Sequence, residues 1–362
     1  MNLRCAACQR TYPLDTREWR CECGGVFGLE GTLPFSRQAV ASDEPTLWRY
    51  RAMLPIEQGE RIVSLGEGFT PLVEANIYGV PILCKLEFLA PTGSFKDRGT
   101  TVLVSALRAM GVERVVEDSS GNAAASLAAY CARAGIRARI FVPANASPAK
   151  LAQIAVYGAE LVAVEGPREE AAVAAQDAAA QTYYASHYYN PFSLEGLKTF
   201  AYEIWEGLGG RAPDNLVFPV GHGTLLLGAY RGFEDLWTAG LIEQMPRLFA
   251  VQARSCAPLY RAYRRRLAAP LPTHEGETIA EGIRIARPVR GAQILKAIRE
   301  TGGAVLVVDE AEIQWAWDHL VRVGLYVEPT SAAALAGLRK LDKTIAVDEI
   351  TVVPLTGSGM KS

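Results

Sequence analysis

The amino-acid sequence predicts a two-lobed α/β chain preceded by a small cysteine-bearing ribbon, and three observations lead there. Strand-like and helix-like segments alternate from about residue 80 onward, the signature of a largely parallel sheet covered by helices. The alternation restarts after about residue 205, and 362 residues exceed the ~250–300 at which one hydrophobic core stops growing. Four of the seven cysteines fall within the first 23 residues.

That ribbon reads Cys5-x2-Cys8, twelve intervening residues, then Cys21-x-Cys23-Gly-Gly. Thiolates at such spacing can converge tetrahedrally on zinc, and Gly24 and Gly25 let the backbone turn after the last of them. The C-x-C second pair leaves a metal-free ribbon with free thiols as the alternative. Cys84, Cys131 and Cys256 lie in apolar surroundings and are expected in the core. The expected extents are 1–30 for the zinc-ribbon-like segment, 31–100 with 205–362 for a large α/β domain, and 101–204 for a small one.

The elements follow in order. "VPILCKLEF" is apolar and β-branched, and a Pro-Thr-Gly-Ser turn comes next. "FKDRGTTVLVSALRAMG" has helical periodicity ending at Gly111. "VERVVEDSS" is a strand running into a loop; "GNAAASLAAYCARAG" is an alanine-rich helix that stops at Gly135. "RARIFVPAN" is a strand, "SPAKLAQIAVYG" a helix with a Ser-Pro start, "AELVAVEG" a strand, and Arg168 to Gln181 a helix. Then "NLVFPVGHGTLLLGAYRGF" repeats strand, glycine turn and helix. "PRLFAVQA", "GAVLVVD" and "DEITVVPLTGSG" supply further strands.

Composition excludes several classes of function. Apolar residues make up 49% and charged residues 21%, as in ordinary globular proteins. A net charge of −2 leaves no electrostatic footprint for nucleic acid or an anionic membrane, and the short "RAYRRR" cluster near Arg264 reads as a solvated helix face. No apolar run reaches the ~18 residues of a membrane span and the N-terminus has no apolar signal region, so a cytoplasmic location is expected.

Open α/β sheets bind ligands beyond the carboxyl ends of their strands, and four turns there carry unusual residues. Lys96 follows "PTGS" at a helix start, where unpaired N–H groups and the helix dipole would lower an amine's hold on its proton and make it a nucleophile toward carbonyls. "SSGN", Ser119 to Asn122, opens a helix with groups suited to an anion or a phenolic oxygen. "VGHGTLLLG" sets Gly221, Gly223 and Thr224 between strand and helix as a phosphate cradle. "LTGSGM" offers the hydroxyls of Thr356 and Ser358. An amine, an oxygen partner, a phosphate cradle and a ring-nitrogen partner together suit one aldehyde cofactor, pyridoxal 5'-phosphate.

"PTGSFKDRG", "SSGNAAAS", "GHGTLLLG", "VEPTSAAALAG" and "LTGSGMK" stand in the order found in threonine synthases, and "LGEGFTPL" and "CECGG" also match. Over nearly its whole length the chain therefore resembles this family of fold-type-II, tryptophan-synthase-β-like pyridoxal phosphate enzymes. The resemblance implies that Lys96 bonds to the cofactor's aldehyde and shuttles protons, and that Asn122 holds its 3-hydroxyl. It implies that Gly221, His222, Gly223, Thr224 and Leu225 bind its phosphate, while Thr356 faces the pyridine nitrogen and leaves it largely unprotonated. It further implies a small amino-acid substrate and a homodimer. Ser119, Ser120, Lys198 and Arg287 are the candidate substrate contacts.

The departures bear on substrate. Threonine synthases usually carry a threonine where this chain has Ala123, and N-P-Y-R-x-E-G-Q-K-T where it has "NPFSLEGLKT", so Ser193 replaces an arginine and Leu197 a glutamine. In the family that threonine and arginine help bind the phosphate of phosphohomoserine. Arg287, where asparagine is common, could supply the cation or simply face solvent. If the pocket has the family's shape, Ser193→Arg with Ala123→Thr is expected to strengthen turnover of phosphohomoserine. A fold-type-II lyase or β-replacement synthase acting on a serine-like amino acid is the alternative, and a non-catalytic cofactor-binding regulator is disfavoured because it would not need Lys96.

Overall fold

The computed structural model describes residues 1–361 apart from 32, 58, 78, 342, 343 and 347. They divide into two units, residues 1–68 with 90–197 and residues 69–89 with 198 to the C-terminus. The division differs from the expected extents, which grouped 31–100 with the C-terminal part. The reason is where apolar side chains go. Leu47, Trp48, Leu54, Ile56 and Val63 are buried in one core with Val102, Leu107, Leu127 and Tyr130, so the stretch up to residue 68 belongs to the first unit. Of the residues from 31 to 100, only 69–89, with the strands Leu72–Ile77 and Val80–Lys85, join the second.

In the first unit, an antiparallel sheet of Thr11–Pro13, Asn2–Cys5 and Phe27–Glu30 forms the ribbon. A four-stranded parallel sheet runs Glu160–Val164, Arg137–Pro143, Arg114–Glu117, Tyr183–Tyr184. Helix Lys96–Ala109 stops where Gly111 takes φ 67° and Val112 N–H reaches back to the Leu107 carbonyl at 2.9 Å. Helix Asn122–Ala134 ends the same way at Gly135, with Ile136 N–H on the Cys131 carbonyl. Its alanines 123, 124, 125, 128 and 129 are all buried, so small side chains serve close packing. Helix Pro191–Leu197 is buried at every residue and therefore lacks the polar face by which periodicity would reveal it.

The second unit is built on a six-stranded sheet in the order Val305–Val308, Arg247–Ala253, Asn215–Pro219, Thr351–Pro354, Val80–Lys85, Leu72–Ile77. All neighbours are parallel except the last pair. Its core gathers Ile82, Cys84, Val217, Phe249, Val251, Val353 and the alanine-rich helix Pro329–Leu338. Cys131 and Cys256 are buried as well, as expected. Among the described residues, no helix is long and apolar enough to cross a membrane.

Candidate active site

In the first unit the two turns of interest sit at the starts of two helices tied to each other. Lys96 is the first residue of its helix, half-buried, with Nζ 4.8 Å from the centre of the Phe95 ring. Its neighbour Asp97 is fully buried and fixes the approach. It accepts from Thr92 N–H at 2.7 Å, from Thr92 Oγ1 at 2.6 Å, and from Ser126 Oγ on the second helix at 2.6 Å. Gly93 turns the chain at φ 81°, a conformation open to glycine at little cost. A second buried carboxylate, Glu67 of "LGEGFTPL", accepts from Trp48 Nε1, Tyr130 Oη and Leu65 N–H and anchors that motif to the same helices.

The helix that begins at Asn122 has no side-chain cap, so its first N–H groups point outward past Ser119, Ser120 and Gly121. Ser119 Oγ accepts from Gly121 N–H at 3.2 Å and shapes the turn. Just before it lies Glu117, buried at the end of its strand and 3.0 Å from His187 Nδ1. Its Oε2 has no hydrogen-bond partner. Burial pushes the Glu117 carboxyl up to about 8, the Asp118 charge adding to this and Lys96 opposing it. Nothing in the spacing of "VEDSSGN" singles Glu117 out.

In the second unit, Gly221, His222, Gly223, Thr224 and Leu225 form the turn from strand Asn215–Pro219 into helix Thr224–Thr238. Gly223 is the N-cap at φ 68°, and a Cβ there would strike Ile294 Cδ1. A Cβ on Gly221 would meet the Gly282 carbonyl and Ile285 at 2.9 Å. The first backbone bond of the helix is Leu227 N–H to Gly223 carbonyl, so the N–H groups of Thr224, Leu225 and Leu226 have no intrahelical partner and suit an external acceptor. Thr356 follows strand Thr351–Pro354, the parallel neighbour of Asn215–Pro219, so both turns leave the carboxyl edge of one sheet. An uncapped helix start lined by two glycines fits a phosphate group, and the residues present fit pyridoxal phosphate.

Two expected substrate contacts stand differently. Lys198 Nζ is buried 3.1 Å from Asp235, eleven residues along the helix from Thr224 and so roughly 16 Å from its start. Its charge is taken up there. Arg287 is exposed, two residues beyond Ile285, which packs at Gly221. Arg284, which sequence reasoning passed over, has a buried Nε without a partner in the same segment. Ser193 is buried against the other helix: a Cβ on Gly99 would strike Ser193 Oγ. Ser193 thus stands in the tight contact between the two helices, where threonine synthases usually carry an arginine.

In the ribbon, the sulfurs of Cys5, Cys8, Cys21 and Cys23 all lie within 4.8 Å of one another. Cys5 to Cys23 and Cys8 to Cys21 are each 3.5 Å, near the edge of a tetrahedron with Zn–S bonds of about 2.3 Å. Gly25 is required beside them, since a Cβ would come within 2.5 Å of Cys5 Sγ.

The family model described as "Pyridoxal-phosphate dependent enzyme" matches residues 63–357. The threonine synthase of Methanocaldococcus jannaschii is 38% identical across 99% of this chain and 92% of its own length. That of Mycobacterium bovis is 37% identical across 86% and 87%. The chain belongs to the threonine synthase family of pyridoxal-phosphate dependent enzymes. Its cofactor is pyridoxal phosphate. Among solved structures, a threonine deaminase from T.th. superposes with a TM-score of 0.69 at 26% identity, covering 80% of this chain and 92% of that one. Maize serine racemase, at 0.69 and 21% identity over 80% and 88%, shares the fold alone. The fold is that of the fold-type-II enzymes.

Proposed function

We propose that this family member converts O-phospho-L-homoserine and water to L-threonine and phosphate. The observation that carries the reading is 38% identity to a threonine synthase over 99% of the chain, cysteine ribbon included. By the family resemblance, Lys96, Asn122, the turn from Gly221 to Leu225 and Thr356 would each contribute to holding the cofactor. When bound, pyridoxal phosphate supplies the electron sink that acidifies the bond from the substrate's α-carbon to hydrogen.

The chain's own groups do the rest. Lys96 Nζ takes the α-proton and then moves a proton at the β-carbon. The bond from the γ-carbon to oxygen breaks with its electron pair leaving on phosphate. The γ-carbon gains a proton, water adds its hydroxyl at the β-carbon, and the α-carbon regains its proton. The N–H groups opening the helix at Asn122, with Ser119 and Ser120, orient the substrate carboxylate. Arg287 or its neighbour Arg284 supplies the cation for the substrate phosphate, each such contact being worth roughly ten- to a hundredfold in KM.

A zinc ion held by Cys5, Cys8, Cys21 and Cys23 would stabilise a segment too small to bury a core of its own. One zinc per chain, lost in Cys5→Ser with Cys8→Ser while cofactor absorbance persists, is the expected analysis; zinc-free native protein would mark the ribbon as metal-free. The resemblance further supports a homodimer in the cytoplasm, checked by a solution mass of two chains.

One observation favours the second reading, a lyase or β-replacement synthase for serine-like amino acids: Ser193, buried against Gly99, stands where threonine synthases usually carry an arginine that helps bind the substrate phosphate. Incubating the holoenzyme separately with phosphohomoserine, phosphoserine, serine and threonine distinguishes the two. Phosphate with threonine from the first supports the leading reading. Keto acid or a new amino acid from a serine-like substrate alone would replace it.

A further inference from the structure

We infer that Ser331 is a positioning residue that fixes the direction of the Thr356 hydroxyl hydrogen, so that Thr356 can only donate to the group it faces. The inference rests on the reading that this group is the cofactor's pyridine nitrogen. Ser331 is fully buried on helix Pro329–Leu338, and its Oγ makes three contacts. It accepts from Thr356 N–H at 2.9 Å and from Gly357 N–H at 3.2 Å, and it lies 3.0 Å from Thr356 Oγ1.

A hydroxyl has two lone pairs and one hydrogen. The two amides occupy both lone pairs of Ser331, so its own hydrogen lies on the line to Thr356 Oγ1. Thr356 therefore accepts from Ser331, and its hydrogen must go elsewhere. Among the described residues, Thr356 Oγ1 makes no other hydrogen bond. The turn cannot swing to relieve this. Glu328 N–H binds the Gly357 carbonyl at 2.9 Å, Val327 pairs with Ser358, and Phe88 N–H binds the Leu355 carbonyl at 2.9 Å.

The result is a one-way series, from the amides of Thr356 and Gly357 through the Ser331 hydroxyl to the Thr356 hydroxyl, each link polarising the next. A ring nitrogen that meets a fixed donor must present its lone pair, so it stays unprotonated. Threonine alone would not enforce this, because a free hydroxyl could turn and accept from a protonated ring. Ser331 removes that freedom.

The test reconstitutes the apoenzyme with pyridoxal phosphate labelled with 15N in the ring and follows the nitrogen resonance with pH, beside the dissociation constant of the cofactor. Wild type and Ser331→Thr should show an unprotonated nitrogen that does not respond to pH. Ser331→Ala should make the resonance move with pH as the nitrogen takes up a proton, and should weaken cofactor binding by roughly tenfold, the loss of one ordered hydrogen bond. If that variant does not fold, Ser331→Cys, a poor donor of similar size, should show the same direction. A protonated nitrogen in wild type would overturn the inference. So would a resonance unmoved by the change at 331 while Thr356→Val shifts it, with Thr356 still facing the ring. No response to Thr356→Val would instead mean that Thr356 does not face the ring, and the role of Ser331 would fall with it.

Discussion

Lys96 owes its position to groups that carry no signature of their own. The lysine, the "SSGN" turn, the glycine turn and Thr356 are legible because each puts an unusual residue in a connection that leaves the carboxyl end of a strand. Asp97, Ser126 and Ser331 are not, because a charged residue in a first helical turn, or a hydroxyl in an alanine-rich helix, reads as ordinary helix surface until its partner is known. In the proposed mechanism one amine serves every proton transfer, so Lys96→Ala should abolish turnover rather than slow it. The glycine turn should still retain some cofactor, and borohydride should no longer fix it to the chain. Cofactor trapped on Lys85 would contradict the assignment, and Lys85 is already engaged, its Nζ 2.8 Å from Glu203 in the second unit. Ser193→Arg should destabilise the protein by about 1–3 kcal/mol through overpacking, read as a lower denaturant midpoint.

Among elements, the long amphipathic helices and the parallel strands follow from periodicity and punctuation, whereas helix Pro191–Leu197 does not. Its contact with helix Lys96–Ala109 depends on two glycines. A Cβ on Gly196 would collide with the Arg98 carbonyl oxygen, and one on Gly99 would strike Ser193. Backbone meets backbone there, so no side chain can give way. Gly196→Ala should therefore cost more than the ~1 kcal/mol an exposed helix would gain from alanine, and should shift the helix that carries Lys96. Reduced cofactor affinity together with a lower thermal midpoint is the expected pair of results. An unchanged midpoint would show that the helices are not in this close contact.

At the scale of the whole molecule, the two units differ from the extents read from the sequence over residues 31–68, 90–100 and 198–204, because burial and not strand order decides which core a loop joins. Stability should also carry the mark of Glu117. Its carboxyl is pushed up from 4.5 to about 8 by burial and by Asp118, with Lys96, His187 and Arg168 acting the other way. Between those values the folded chain keeps a proton that the unfolded chain has lost, so stability should fall as pH rises through the window. Glu117→Gln should flatten that slope in urea unfolding, while an unaltered slope would mean that Glu117 titrates normally. The most direct test of the account is turnover of O-phospho-L-homoserine in water enriched in 18O. One labelled oxygen should enter the threonine hydroxyl, with an equal amount of unlabelled phosphate, because carbon–oxygen cleavage and water addition occur on the substrate carbon chain. Labelled phosphate with homoserine as product, or no reaction at all, would contradict it.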